Sequence, residues 1–164
     1  MKRSIILCVA LLMAVAMMAQ GRCQMTVTDK DGYSNIRKGM TTKSSVVRKV
    51  ATGTDVYVTP TGTNWYRISL SPNGGYIGYI HNSCVNIPND IPTLYKVTDK
   101  DGYTNVRQQA TTKSAIVKKM MKGEEFEGLV ALVNGEFSRW VGVLDANRHL
   151  VGFVYETNVL AIAQ

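Results

Sequence analysis

The stretch Val27-Thr28-Asp29-Lys30-Asp31-Gly32-Tyr33-Ser34-Asn35-Ile36-Arg37 returns almost unchanged, 70 positions later, as Val97-Thr98-Asp99-Lys100-Asp101-Gly102-Tyr103-Thr104-Asn105-Val106-Arg107. The only differences, Ser34/Thr104 and Ile36/Val106, keep shape and polarity. A repeat of this fidelity means that one folded unit is made twice, so any fold proposed for one half must serve the other. The register continues ungapped through Thr41-Thr42-Lys43-Ser44 against Thr111-Thr112-Lys113-Ser114, and through Gly53 against Gly123. The second copy then gains residues around Val133 to Phe137, after which Trp65 answers to Trp140 and Gly78-Tyr79-Ile80 to Gly152-Phe153-Val154. Two prolines, Pro88 and Pro92, stiffen the segment between the copies. The organisation predicted is a first domain over 25–86, a linker over 87–93 and a second domain over 94–161.

Each copy reads as short strands. Tyr33 to Arg37 alternates apolar and polar residues after an Asp-Gly turn. Asp55 to Val58, Trp65 to Leu70 and Tyr76 to Ile80 are rich in β-branched and aromatic residues, with Asn73-Gly74-Gly75 as a turn. Ser44 to Val50 suits a helical turn by composition, but its Val46-Val47 pair and the matching Ile116-Val117 favour a strand. The pattern predicts an all-β chain of two small barrels, each closing its strands around its own interior. A unit of about 60 residues is marginal alone and needs a further constraint.

The first residues are set apart from the fold. Lys2 and Arg3 precede an apolar run from Ile5 to Met18. At roughly 14 residues it suits a secretory leader and is too short to span a bilayer. Cleavage before Arg22, giving a leader over 1–21, or after Ala16, are both open. The chain is therefore expected outside the cytoplasm, in the periplasm, at the cell surface or secreted, with no stable membrane span after processing. Net charge is +7 before the leader leaves. The cations are scattered, apart from Lys118, Lys119 and Lys122, so a nucleic-acid partner is not expected.

The order Gly32, Asn35-Ile36-Arg37, Thr41-Thr42-Lys43-Ser44, Val46-Val47, Gly53, Trp65-Tyr66 and Gly78-Tyr79-Ile80-His81 resembles the bacterial Src-homology-3 (SH3b) family. The second copy repeats it with Gly102, Asn105-Val106-Arg107, Ile116-Val117, Gly123, Trp140 and Gly152-Phe153-Val154. The resemblance implies two tandem SH3-like barrels and a binding role in the envelope, toward peptidoglycan peptides or, alternatively, toward an envelope protein as a periplasmic or surface adaptor. The second copy departs further: Val141 follows its Trp, and a family aromatic near the end is replaced by Cys84 in one copy and Asn158 in the other. The closeness of chain ends in such a barrel implies a bridge between Cys23 and Cys84, which flank the first unit once Cys8 leaves with the leader. A loop of that length would contribute about 4 kcal/mol in the chain-entropy treatment.

The candidate ligand-binding residues are the aromatics Tyr33, Trp65, Tyr66 and Tyr79 in the first copy, and Tyr103, Trp140, Phe153 and Tyr155 in the second. Such rings give large contact area at small entropic cost. Trp65 and Tyr66 are neighbours on a strand, so only one can face the interior. Asn35 and Arg37, with Asn105 and Arg107, share one face and offer either a clamp for carboxylates and carbonyls or a structural tie to the loop that follows. Catalysis is not expected: His81 and His149 are the only histidines, and Cys84 close after His81 carries no peptidase signature. No cofactor or metal is expected either. The Asp29-Lys30-Asp31-Gly32 loop lacks the closing acid of a calcium loop, and the Cys and His residues do not form two close pairs for zinc.

Overall fold

A computed structural model describes residues 20–88 and 92–162; most of the expected leader over 1–21 (residues 1–19) and the middle of the expected linker (89–91) lie outside the described residues, as do 163–164. The first unit comprises β1 (Cys23–Val27), β2 (Tyr33–Arg37), β3 (Val46–Ala51), β4 (Asp55–Pro60), β5 (Trp65–Ser69), β6 (Gly78–His81) and β7 (Val85–Asn86). The second comprises β8 (Thr93–Val97), β9 (Tyr103–Arg107), β10 (Ile116–Met121), β11 (Glu125–Val133), β12 (Glu136–Leu144), β13 (Leu150–Tyr155) and β14 (Val159–Ala161). The two sheets have the same order, β3-β2-β6-β5-β4-β1-β7 and β10-β9-β13-β12-β11-β8-β14. The fold is all-β, with two SH3-like units.

Alternation sets the faces. Ser34 and Ile36 of β2 point inward, while Tyr33, Asn35 and Arg37 face out. The Gly-Tyr-Ile and Gly-Phe-Val motifs have a steric cause. A Cβ on Gly78 would stand 2.5 Å from the Arg37 carbonyl oxygen, and one on Gly152 2.6 Å from that of Arg107. Only glycine lets β6 and β13 approach β2 and β9 so closely. The sheet edges β3 and β10 expose Val46, Val47, Ile116 and Val117, yet they also carry Arg48, Lys49, Lys118 and Lys119, which discourage pairing with other chains.

The interiors differ from the sequence expectation, because they are not independent. The larger apolar cluster includes Met25, Ile36, Val56, Tyr66, Ile68 and Ile80 of the first unit and runs on into Ala110, Ala131, Leu144, Leu150 and Phe153 of the second. A smaller cluster, with Val97, Val106, Met120, Phe126 and Val143, belongs to the second unit alone. Units this small bury too little surface to stand alone, and a shared dry seam adds to both.

Residues 20–23 hold the seam. Gln20 accepts a hydrogen bond from Arg67 (3.1 Å), and the Gly21 carbonyl accepts one from the buried Thr59 hydroxyl (2.8 Å). Both residues fall in the stretch that the sequence assigns to the leader, yet they are part of the fold; a cut before Arg22 would remove both contacts. Arg22 exchanges two backbone hydrogen bonds with Leu132 of β11 (2.9 and 2.8 Å). The extra residues of the second copy lengthen the β11–β12 hairpin, whose Asn134-Gly135 tip has positive φ at both positions and brings Gly135 against Asn73 of the first unit. The insertion is thus the arm by which the second unit grips the first.

The expected disulfide is absent. Cys23 and Cys84 are free thiols. The β1–β7 pairing sets Val27 opposite Val85 and so brings Cys84 level with Thr28, whose N–H bonds the Cys84 carbonyl (3.0 Å). Cys23 lies five residues away along β1, about 17 Å at ~3.4 Å per residue. A bridge requires Cα atoms within about 4.4–6.8 Å. The chain ends are neighbours laterally but staggered along the strand. Thermal unfolding is accordingly expected to give the same midpoint with and without reductant; a midpoint that falls on reduction would reveal a bridge.

Candidate functional site

The outer face of the first sheet carries two cross-strand rows. Arg37, Tyr79 and Arg67 are partners across β2, β6 and β5, and beside them His81 pairs Trp65. The second sheet repeats this with Arg107, Phe153 and Gly142 in one row and Tyr155 opposite Trp140 in the other. The Trp65–His81 and Trp140–Tyr155 ring pairs are both edge-on with centroids 5.2 Å apart, at interplanar angles of 85° and 69°. All four rings are half-buried, leaving part of each π surface open to a ligand.

The two faces diverge in the row through position 79. Tyr79 and Arg67 are replaced by Phe153 and Gly142, and the second face is filled by the first unit. A Cβ on Gly142 would come 2.5 Å from the Cys23 sulfur, and Gly21 packs on Ala110 and Phe153. Phe153 is fully buried there, and Tyr66 is buried with its hydroxyl accepting from the Leu150 N–H (2.8 Å). Both were candidate ligand-binding aromatics. Both are withdrawn from the surface, because the seam uses them as packing.

Arg37 and Arg107 each donate to a backbone carbonyl in the following loop, Ser44 and Ser114, both at 2.8 Å. These bonds tie the loop to the sheet in both copies. Tyr33 and Tyr103 lie under lysine ammonium groups, Lys49 at 4.2 Å and Lys119 at 3.5 Å from the ring centroids. Asn35 and Asn105 are half-buried, and the Asn35 Oδ1 has no hydrogen-bond partner. Of the candidates, the structure therefore brings Trp65 and Tyr79 together on one open face, beside His81 and Arg67, which the sequence did not single out as binding residues. The signal that could have found Arg67 is its loss, as Gly142, in the otherwise faithful second copy.

Tyr76 sits between two guanidinium groups, Arg22 at 4.4 Å and Arg67 at 5.6 Å from its ring centroid, with its hydroxyl bonded to Thr59 (2.7 Å). Arg22 donates to the carbonyls of Ser71, Pro72 and Gly74. Neither arginine meets a carboxylate among the described residues. Beside Arg67, Met40, Pro60, Thr61 and Tyr79 of the first unit and Gln108 and Gln109 of the second enclose a cavity of about 160 Å³. A larger cleft of about 1180 Å³ runs along β10 and the β12–β13 turn. Its Glu125, Glu127 and Asp145 are already paired, with Lys96, Arg148 and His149, so it presents little that would select a ligand.

Burial pushes the Cys23 thiol up to about 12, and burial likewise raises that of Cys84, so neither is an activated thiolate. His81 Nδ1 is engaged with the Ser83 hydroxyl (2.8 Å). The Asp29 carboxylate accepts from the Asp31 N–H (3.2 Å) and the Ser34 hydroxyl (2.9 Å), and these bonds hold it below the usual carboxylate range. It is thereby committed to its own turn. No group of three or more His, Cys, Asp or Glu residues able to hold a metal ion occurs among the described residues. None of their helices is long and apolar enough to cross a membrane.

Comparison with known proteins places the first unit. The family described as "Bacterial SH3 domain" matches residues 30–86. No curated protein matches the chain. Two solved structures are similar to it, NlpC2 and NlpC1 from Trichomonas vaginalis, at 8% and 9% identity with TM-scores of 0.38 and 0.39. The matches cover 87% of this chain and 49% and 47% of those chains, so this chain spans about half their length. The arrangement of β2 to β7, the glycine that admits β6 and the match over 30–86 agree: the first unit of this chain is a bacterial SH3 domain.

Proposed function

We propose that this chain is a non-catalytic binding protein of the envelope, exported to the periplasm or cell surface, that recognises cell-wall peptides through its tandem SH3-like units. The observation that carries the reading is the repetition of one half-open aromatic pair, Trp65–His81 and Trp140–Tyr155, at matching positions of two sheets. An edge-on ring pair offers a flat apolar wall with a polar edge, which suits a peptide backbone. Two such walls in one body raise avidity for a polymer, provided both reach it. The raised thiols and the engaged His81 support the non-catalytic part of the reading.

The chain without its leader is expected to sediment with purified cell wall, and the double variant Trp65→Ala/Trp140→Ala to remain in the supernatant. Soluble muropeptides are expected to compete. Unchanged sedimentation of the double variant would remove the aromatic pairs from the reading. Failure of muropeptides to compete would instead point to a protein ligand.

A further inference from the structure

Strand β3 ends the first sheet: β2 pairs it on one side, and its other edge pairs with no strand among the described residues. Antiparallel pairing alternates the direction of the backbone groups. Thr52 donates to the Gly32 carbonyl (3.0 Å), so Ala51 and Lys49, opposite Tyr33 and Asn35, turn their N–H and C=O groups away from β2. The Ala51 carbonyl is taken by the Thr54 N–H (3.2 Å). That leaves the Ala51 N–H and both backbone groups of Lys49 on the open edge. The edge of the second unit, β10, is built the same way, with Lys122 donating to the Gly102 carbonyl (2.9 Å) and Met121 opposite Tyr103. There, however, the Glu124 carboxylate accepts from the Met121 N–H (3.0 Å). Thr54 stands at the position equivalent to Glu124, and the Ala51 N–H meets no side-chain acceptor among the described residues. Charge completes the picture. From Tyr33 to Gly53 the chain carries Arg37, Lys38, Lys43, Arg48 and Lys49 and no acid, and none of these cations forms an ion pair among the described residues. Arg48 and Lys49 are exposed on opposite faces of β3, and the exposed Val46 and Val47 precede them.

From this open basic edge we propose that β3 takes an extended acidic segment of another protein as an added strand, and that Glu124 closes the corresponding edge of the second unit. The segment's backbone meets the Lys49 N–H and C=O and the Ala51 N–H, and its carboxylates meet Arg48 and Lys49. The cations that keep one basic edge from pairing with another suit an acidic strand, which sets a second copy of this chain aside as the occupant. Lys118, Lys119 and Lys122 make β10 as basic as β3, so attraction by charge alone would fill both edges. Glu124 separates the two cases. It occupies a donor that an added strand needs, and it places a negative charge in the path of an acidic one. A single site per chain follows. It lies on the backbone edge of β3 and makes no use of the Trp65–His81 pair, so it is independent of the wall-peptide reading.

The probe is a capped octapeptide of alternating Glu and Val, titrated into the chain without its leader and followed by calorimetry. Binding at a single site is expected, weakening as salt is raised. Thr54→Glu, which gives the first unit the lid of the second, is expected to weaken binding at least about tenfold, the scale of one lost hydrogen bond to a charged group. Glu124→Thr is expected to open a second site. Neither side chain belongs to a core, so both variants keep the fold. The same peptide N-methylated at every residue retains its carboxylates but has no backbone donors, and it is expected to bind at least about tenfold more weakly than its parent. No binding, two sites in the unaltered chain, or an affinity that Thr54→Glu leaves unchanged would overturn the proposal. An N-methylated peptide that binds as well as its parent would do so too, by showing a charged surface without strand addition. Wall sedimentation is a separate readout: Trp65→Ala/Trp140→Ala is expected to leave octapeptide binding unchanged, so either reading can fail without the other.

Discussion

Replacing Tyr66 by alanine is expected to destabilise the whole chain by about 3–5 kcal/mol, the range for deleting a buried aromatic. The side chain is 1% exposed in the larger core, and its hydroxyl accepts the Leu150 N–H of the second unit. One ring thus serves both units. Denaturant unfolding followed by tryptophan fluorescence reports on each unit through Trp65 and Trp140. A single transition with a lowered midpoint is the expected result. Tyr66→Phe keeps the ring but leaves a buried N–H unpaired, for a loss of about 1–3 kcal/mol. Two separate transitions, only one of them shifted by Tyr66→Ala, would show that the units do not share stability.

Gly142→Val is expected to open the seam from the other side. A Cβ at this position would stand 2.5 Å from the Cys23 sulfur and 2.8 Å from the Leu150 Cδ1. Neither is the far end of a long flexible chain, so β1 or the β12–β13 turn has to move. Overpacking of this kind costs about 1–3 kcal/mol. A sharper readout is the thiol. Cys23 is fully buried in the native protein and is expected to resist an alkylating reagent, while half-buried Cys84 reacts slowly. In Gly142→Val, Cys23 is expected to become reactive under native conditions. Continued protection of Cys23 in that variant would mean that the seam absorbs the added methyls without separating.

Most of the fold was legible in the sequence, because it is written in short-range terms. The 70-residue repeat, the alternation in Tyr33 to Arg37 and the glycines before Tyr79 and Phe153 are each local signals of strand, face and close approach. The β6 strand begins later than its composition suggests, at Gly78, since Tyr76 leaves the sheet to stack between Arg22 and Arg67. The seam was not legible. Its contacts join Gly21 to Phe153, Arg22 to Leu132 and Tyr66 to Leu150, and no periodicity links such distant positions. Reading each copy as a self-contained barrel assigned Tyr66 and Phe153 to ligand faces that the partner unit covers. The same assumption suggested the Cys23–Cys84 bridge, where lateral closeness of chain ends concealed a stagger of five residues. The clue that survives is a comparison of the copies with each other: where the second exchanges Tyr79 and Arg67 for Phe153 and Gly142, a wetted face has become a dry one.

The pairing of Arg22 with Leu132 joins residues 110 positions apart (132 − 22). A contact that spans so much chain forms late and slowly, since the loop between must first be closed. β1 finds both of its strand partners, β4 and β7, inside the first unit, but the bridge just ahead of it must wait for the hairpin around Asn134. The seam is thus closed only after much of the second unit has been made, and fragments cut at the proline linker are expected to lose this contact.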